Sequence, residues 1–255
     1  MTKNKFGLRR SVNNMNLVRF RFWFQIAAFA LIVYGGWAGI DLGDKLPTFA
    51  CVFSSDASGG KCYVGELQHD LRHTFEMMAG YAGYAFLISL GMFIVWFWVL
   101  NKGWCGFVCP LGTMQDWLTM LREKSKIRFS EYSWANRKKI KSIKYILLFL
   151  MLLLPVMVAN SVFGAPKLPS GLAMPFCDIC PGRMMIPAFT GDFNQFYIDF
   201  STKTDLVMAV LGMIMTGLFL VGSFVKKRFF CYFCPMAALQ YIFSKPALLK
   251  LYKDG

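Results

Sequence analysis

Four long stretches without a charged residue alternate along the chain with polar segments. They cover residues 22–40, 77–100, 145–163 and 206–225. An α-helix needs roughly 20 residues to cross a hydrocarbon core of about 30 Å, so each stretch is long enough to span a membrane. The pattern therefore predicts an all-α integral membrane protein with four transmembrane helices.

The charges are sorted between alternate loops. Segments 1–21, 101–144 and 226–255 together carry 22 Lys or Arg residues against 4 acidic ones, whereas loops 41–76 and 164–205 carry 6 against 10. Lys and Arg concentrate in loops on the cytoplasmic side. We therefore expect a multi-pass protein of the bacterial inner (cytoplasmic) membrane with both termini in the cytoplasm. Contact with membrane lipid accounts for the net charge of +14 without nucleic acid as a partner.

The spans group into two hairpins. We predict a basic cytoplasmic N-terminal segment at 1–21, a first transmembrane hairpin with a Cys-Pro turn and a surface helix at 22–121, a basic cytoplasmic linker at 122–144, and a second such hairpin with a C-terminal surface helix at 145–255. The pattern Cys-Pro-x-x-x-Met-Gln at 109–115 returns as Cys-Pro-x-x-x-Leu-Gln at 234–240. This match predicts a pseudo-repeat, and we expect Gln115 and Gln240 to hydrogen-bond the backbone of the cysteine turns.

The cytoplasmic loops hold two pairs of cysteines. Cys105 and Cys109 lie in Trp-Cys-Gly-Phe-Val-Cys-Pro-Leu-Gly at 104–112, and Cys231 and Cys234 lie in Phe-Phe-Cys-Tyr-Phe-Cys-Pro at 229–235. Four thiolates from two turns are what a 4Fe–4S cluster needs, and soluble ferredoxins use the same Cys-Pro ending. We predict an inner 4Fe–4S cluster on these four residues. A structural zinc site is the alternative, since zinc accepts the same ligand spacings.

The other two loops hold the remaining four cysteines. Cys177 and Cys180 form a third turn that ends in Cys-Pro, and Cys51 and Cys62 would complete four ligands for iron in a second, outer cluster. An extracytoplasmic compartment oxidises thiols, so a Cys51–Cys62 disulfide beside a redox-active Cys177/Cys180 dithiol is the alternative. We favour the second cluster because the Cys-Pro ending is shared.

The two histidines of the chain, His69 and His73, lie four residues apart in a polar stretch. Such a pair can bind haem or a metal ion, or accept a proton from a quinol. Histidines on a polar helix face are more often simply solvated, and we favour that interpretation.

The two cytoplasmic Cys-Pro turns and their flanking spans resemble a membrane-bound ferredoxin-type family of 4Fe–4S electron-transfer proteins. This family includes NapH of periplasmic nitrate reduction, the electron-donating part of NosR, and MauN. The resemblance implies that electrons pass between the quinone pool or a cytoplasmic donor and an extracytoplasmic reductase or dehydrogenase. NapH-like proteins append a soluble ferredoxin module, which these 255 residues lack. We therefore expect other redox subunits, of the ferredoxin, cytochrome or flavoprotein type, as partners.

The sequence thus predicts a transmembrane iron–sulfur electron-transfer subunit of an oxidoreductase complex, with quinol dehydrogenation as one version of that role. We assign no catalytic residue, and the chain has no Rossmann, haem-attachment or flavin motif. One rival is a quinone-linked thiol–disulfide oxidoreductase that uses Cys177/Cys180 and Cys51/Cys62; another is a membrane anchor with zinc-stabilised loops. Clusters on opposite faces would lie up to about 30 Å apart, unless they sink into the core or a partner's cofactor lies between them.

Overall fold

The computed structural model consists of helices joined by loops. It describes residues 14–40, 42, 51, 53, 60, 62–100, 103–127, 134–161, 168–197 and 203–243. The α-helices of this part are α1 (Asn14–Tyr34), α2 (Tyr63–Leu71), α3 (Phe75–Met78), α4 (Tyr81–Leu100), α5 (Gly103–Phe107), α6 (Pro110–Lys124), α7 (Trp134–Ala159), α8 (Pro175–Ile179), α9 (Pro181–Phe189), α10 (Lys203–Val225) and α11 (Pro235–Phe243). Short 3-10 helices lie at Gly35–Ala38, Ser170–Leu172, Asn194–Phe196 and Phe230–Tyr232. No β-strand occurs among these residues, so the all-α class is confirmed for them.

Four of the helices are long and apolar enough to cross a membrane. The qualifying segments are Arg19–Ala38, Tyr81–Val99, Ser142–Ala159 and Lys203–Val225. Each of them overlaps one of the four predicted spans, which are therefore confirmed by length and composition. The grouping of these helices into two pseudo-repeated hairpins, and the domain limits drawn from it, stay predictions.

Helix α7 begins earlier than the hydrophobic pattern indicates. It starts at Trp134 and runs for 26 residues, so the second half of the predicted basic linker is helical. Lys and Arg are good helix formers, and a charged segment can extend a transmembrane helix beyond its apolar part. The predicted surface helix after Cys109 also differs from expectation. Helix α6 buries Met114, Gln115, Asp116 and other side chains and packs between α1 and α10.

The short helices on the predicted outer side fold inward along the spans. The ring of Tyr63, the first residue of α2, stacks on Phe93 with centroids 4.0 Å apart. Phe93 lies twelve residues after the start of α4, which is about 18 Å along a helix that rises about 1.5 Å per residue. Helix α2 therefore begins deep beside α4, directly after Cys62.

Contacts along helix α10 show that the predicted outer loops and the predicted inner loops come close to each other. Toward the predicted outer loops, the Thr216 hydroxyl donates to the Met184 sulfur at 3.5 Å, and a Cβ at Gly212 would meet the Asp178 carbonyl oxygen at 2.7 Å. Toward the predicted inner loops, the Phe219 ring packs on Phe230 with centroids 5.6 Å apart. Thr216 and Phe219 are three residues apart, about 4.5 Å of helix. The two kinds of loop therefore meet, which favours the alternative in which the cysteine sets lie inside the helix bundle over their placement on opposite faces.

A buried carboxylate joins the elements around the inner cysteine turns. Asp116 is 7% exposed and accepts hydrogen bonds from Arg21, from Gln25 at 2.8 Å and from Arg228 at 2.9 Å. Gln25 and Arg228 also donate to the Gly106 carbonyl, at 2.9 and 3.2 Å. Burial alone would raise the pKa of Asp116, but the hydrogen bond and charge of Arg228 outweigh it and hold that pKa below its ordinary value.

We expect Asp116→Asn to destabilise the protein, because two guanidinium groups would lose their shared counter-charge. Breaking a buried ion pair on one side costs on the order of 3 kcal/mol. The measurement is thermal unfolding in detergent. The control is Glu123→Gln, an exposed carboxylate on the same helix, which should change stability by less than about 0.5 kcal/mol. Equal unfolding temperatures for the two variants would contradict the role of this network.

Candidate metal centre

All eight cysteines line one cavity. The empty space between the lining residues is about 840 Å³, which includes the part that is open to solvent, and every cysteine is a free thiol. Its other lining residues are mostly apolar and include Leu111, Ile186, Phe230 and Met236. The structure therefore brings the predicted inner set and the predicted outer set together around the same space.

Within the cavity, thiols of the same predicted set lie close enough to interact electrostatically. In addition to burial, negative charge on Cys109, Cys231 or Cys234 raises the pKa of Cys105. Negative charge on Cys51, Cys177 or Cys62 adds to burial and raises the pKa of Cys180 in the same way.

The two sets also adjoin each other, since, in addition to burial, negative charge on Cys180 raises the pKa of Cys234. A Cβ at Gly182 would lie 3.4 Å from the Cys180 sulfur and 3.7 Å from Leu111 Cδ1. Leu111 follows Cys109 by two residues, so the turn of the outer set contacts the turn of the inner set.

The second cysteine of each pair immediately precedes a helix. Helices α2, α6, α9 and α11 begin at Tyr63, Pro110, Pro181 and Pro235. Proline suits the first helical position because its ring fixes φ and its missing N–H would have no intrahelical partner there. A helix N-terminus carries a partial positive charge and free N–H groups, and four of them begin at cysteines that line the cavity. This arrangement favours an anionic occupant.

Burial keeps these thiols neutral as long as nothing binds them. It raises the pKa of Cys109 to about 12, with Cys231 acting in the same direction, while N–H groups of Gly112 and Leu111 and the charge of Arg228 act against it. Burial likewise raises the pKa of Cys51 to about 12, opposed in part by Arg183. A coordinated metal removes the proton from a thiol and balances the thiolate charge. Soft sulfur ligands in a dry site suit iron–sulfur clusters or zinc.

Each set has one arginine nearby. Against the effect of burial, the charge of Arg228 acts to lower the pKa values of Cys109 and Cys231, and Arg228 forms an ion pair with Asp116. Arg183 lines the cavity, pairs with Asp178 and lies 4.4 Å from the centroid of the Phe53 ring. A guanidinium beside each set lowers the cost of concentrating negative charge on four sulfurs.

Two glutamines contact both a cysteine sulfur and the backbone beside it. Gln115 donates to the Cys231 sulfur at 3.7 Å and accepts from the Phe230 N–H at 3.0 Å, so it makes the expected backbone contact. Gln68 donates to the Cys177 sulfur at 3.1 Å and accepts from the N–H of residue 176 at 3.1 Å. Sequence reasoning missed Gln68. The available signal was its spacing, because both glutamines are the sixth residue after the second cysteine of a pair.

Gln240 is also the sixth residue after the second cysteine of a pair, and its contacts indicate whether a metal fits the site. Its Oε1 accepts from the Cys105 thiol at 2.9 Å, while its Nε2 is buried without a hydrogen-bond partner. A metal-bound sulfur has no proton to donate and accepts instead. Turning the amide by 180° would then place the unpartnered Nε2 toward that sulfur. The residues present therefore fit a metal-bound thiolate at Cys105.

The two histidines lie outside the lining of this cavity. His69 Nδ1 is 3.8 Å from Asp70 Oδ1, and the His69 and His73 rings have centroids 5.6 Å apart. Together these three residues bring ligand atoms within 4.8 Å of one another. The interpretation of the pair as a solvated helix face stays a prediction.

Comparisons with known proteins point to the same chemistry. Residues 82–128 and 208–252 each match a family described as a 4Fe-4S binding domain. The first region holds Cys105 and Cys109 and the second holds Cys231 and Cys234, whereas the other four cysteines lie outside both. These matches support 4Fe–4S binding and an iron–sulfur electron-transfer role. The narrower resemblance to NapH and NosR stays a prediction.

A relative of similar sequence occurs in an archaeon. "Uncharacterized protein MJ0750" of Methanocaldococcus jannaschii is 27% identical over 161 residues, which are 62% of this chain and 55% of the relative. The chain thus spans about half the length of the curated relative it matches. No solved structure matches the chain.

We expect Gly112→Ala to damage the inner set. A Cβ at Gly112 would lie 2.9 Å from the Cys105 carbonyl oxygen, so α6 would have to move away from the turn that holds Cys105. Iron per chain and the unfolding temperature should both fall. The matched control is Gly91→Ala, where a Cβ meets nothing within 4 Å and alanine favours the helix. Full iron and unchanged unfolding in Gly112→Ala would show that this close approach is not needed.

Proposed function

We propose that the chain is a transmembrane electron-transfer subunit with two adjacent 4Fe–4S clusters in one cavity. The inner cluster takes Cys105, Cys109, Cys231 and Cys234 as iron ligands, and the outer cluster takes Cys51, Cys62, Cys177 and Cys180. The observation that carries the proposal is the single apolar cavity lined by all eight free thiols. A bound cluster of this kind takes up and releases single electrons.

The residues of the chain have three tasks in this proposal. The cysteines bind iron as thiolates, two from each half of the chain for each cluster. The mostly apolar lining, which includes Leu111 and Ile186, limits the contact of the sulfurs with water. Helix N-termini and the two arginines balance the charge of the thiolates.

The shared cavity also supports transfer without a further cofactor between the two sets. Clusters at opposite membrane faces would need such a cofactor, because roughly 30 Å would separate them. Here Gly182 of the outer turn and Leu111 of the inner turn adjoin. One protein can therefore bring the two electron carriers close together.

The external partners are proposed from the resemblance to the NapH-type family. On that basis electrons pass between the quinone pool or a cytoplasmic donor and an extracytoplasmic redox partner. Ferredoxin-type, cytochrome or flavoprotein subunits would complete the oxidoreductase complex. The distribution of Lys and Arg supports a cytoplasmic-membrane protein with both termini inside.

The first test is the metal content of anaerobically purified protein. Two 4Fe–4S clusters predict about eight irons and about eight acid-labile sulfides per chain. Because the sets adjoin, the two reduced clusters should couple magnetically and broaden the electron paramagnetic resonance spectrum. Cys51→Ser should remove about half the iron and leave an uncoupled signal from the inner cluster, and Cys234→Ser should do the converse.

Two results would contradict the proposal. About four irons together with a Cys51–Cys62 disulfide would restrict iron to the inner set and favour thiol–disulfide chemistry on the outer set. Zinc without labile sulfide would indicate structural sites. Gly91→Ala, which alters no cysteine environment, should retain the full iron content and the coupled spectrum.

The proposed orientation has a separate test. The native cysteines of both sets share one cavity, so new reporter thiols are placed at exposed positions on either side, as Glu76→Cys and Ser125→Cys. A membrane-impermeant maleimide added to intact spheroplasts should label residue 76 at once and residue 125 only after permeabilisation. The native protein, with its thiols bound by iron, is the control. The reverse pattern would overturn the orientation drawn from charge.

A further inference from the structure

We propose that Gln68, Gln115 and Gln240 are positioning residues that donate an amide N–H to a cluster-ligating sulfur and thereby raise the reduction potential of that cluster. The inference rests on the proposed function, because it needs the sulfurs to be iron ligands. It assigns two such donors to the inner cluster and one to the outer cluster.

The three glutamines share one placement in the fold. Each is the sixth residue after the second cysteine of a pair, namely after Cys62, Cys109 and Cys234. Each lies on the helix that begins directly after that cysteine. Each also contacts the first cysteine of the other pair in its set, so the contacts run from Gln68 to Cys177, from Gln115 to Cys231 and from Gln240 to Cys105. The fourth such position is Ile186, which is buried and apolar.

Gln68 and Gln115 have the same set of hydrogen-bond partners. Each Nε2 also donates to the carbonyl four residues earlier, at 3.1 Å for Gln68 and 3.2 Å for Gln115. Each Oε1 accepts from the N–H of the residue before the contacted cysteine. Both side chains are fully buried. The backbone N–H fixes the amide orientation, since only the oxygen can accept it, and Nε2 must therefore face the sulfur.

Gln240 fits the same pattern once Cys105 is a ligand. A thiol at Cys105 donates to Oε1 and leaves the buried Nε2 without a partner. Coordination to iron removes that thiol proton, and an acceptor oxygen would then face an acceptor sulfur. Rotation of the amide relieves this repulsion and gives Nε2 the partner it lacks. A buried unsatisfied donor is costly, so the rotated amide is favoured.

The effect on potential follows from charge. Reduction adds negative charge to the cluster and its sulfurs, and an N–H that points at a sulfur stabilises the reduced state more than the oxidised state. Hydrogen bonds to sulfur are among the factors that set iron–sulfur potentials. In a cavity with a mostly apolar lining, such a bond is electrostatically stronger than it would be in water.

The test is a redox titration of the loaded protein, followed by electron paramagnetic resonance, with iron content measured on the same samples. Gln115→Met and Gln240→Met remove the N–H donors to the inner cluster without adding a charge. Each variant should shift the inner one-electron equilibrium roughly tenfold toward the oxidised state, which lowers the potential by about 59 mV. Gln68→Met should lower the outer potential instead.

Thr119→Val is the matched control. Thr119 is a buried polar residue on α6 whose hydroxyl donates to the Gln115 carbonyl and not to a sulfur, so both potentials should stay unchanged. Unchanged potentials in Gln115→Met and Gln240→Met at full iron content would overturn the inference. Loss of iron from both variants would also overturn it, by showing a purely structural role. A wild-type protein without iron would instead overturn the proposed function itself.

Discussion

The structure depends on keeping eight sulfur atoms in one cavity whose lining is mostly apolar. Burial there raises thiol pKa values, so the sulfurs can become thiolates only if positive charge meets them. The surrounding chain supplies that charge in three forms: helix N-termini behind the second cysteines, the guanidinium groups of Arg183 and Arg228, and amide N–H groups of glutamines. Such compensation is needed because desolvating a thiolate costs several kcal/mol.

The packing of the spans serves the same requirement. Gly212 allows the outer turn to reach α10, and Gly112 allows α6 to reach the carbonyl of Cys105. The Asp116 carboxylate holds Arg228 next to the inner set. It also neutralises part of the positive charge of that guanidinium group. Arg183 and Asp178 form the corresponding pair on the outer side. The two carboxylates therefore hold the arginines in position beside the cysteine sets.

The spans and the inner cysteine pairs could be predicted from sequence because their signals are local. Hydrophobic length gave the spans, and the Cys-Pro turns gave the candidate ligands. The inward folding of the outer loops has no local signal. The roles of Gly212 and Tyr63 depend on contacts with residues that are distant in sequence, so the local sequence does not indicate them. Asp116 could not be predicted as a buried residue because its helix has the sequence pattern of a surface helix. Gln68 could not be predicted because it lies beside two histidines in a stretch with the pattern of a solvated helix face.

The cysteine pairs differ in spacing and in the helix that holds the first cysteine. Cys105 and Cys177 lie in the short α-helices α5 and α8, whereas Cys231 lies in a 3-10 helix. The second cysteines Cys109 and Cys180 lie beyond those helices and have an extended backbone. The spacing of a pair therefore does not follow from helix periodicity alone. What the pairs share is a second cysteine directly before a helix N-terminus, which places that cysteine beside free N–H groups and a partial positive charge.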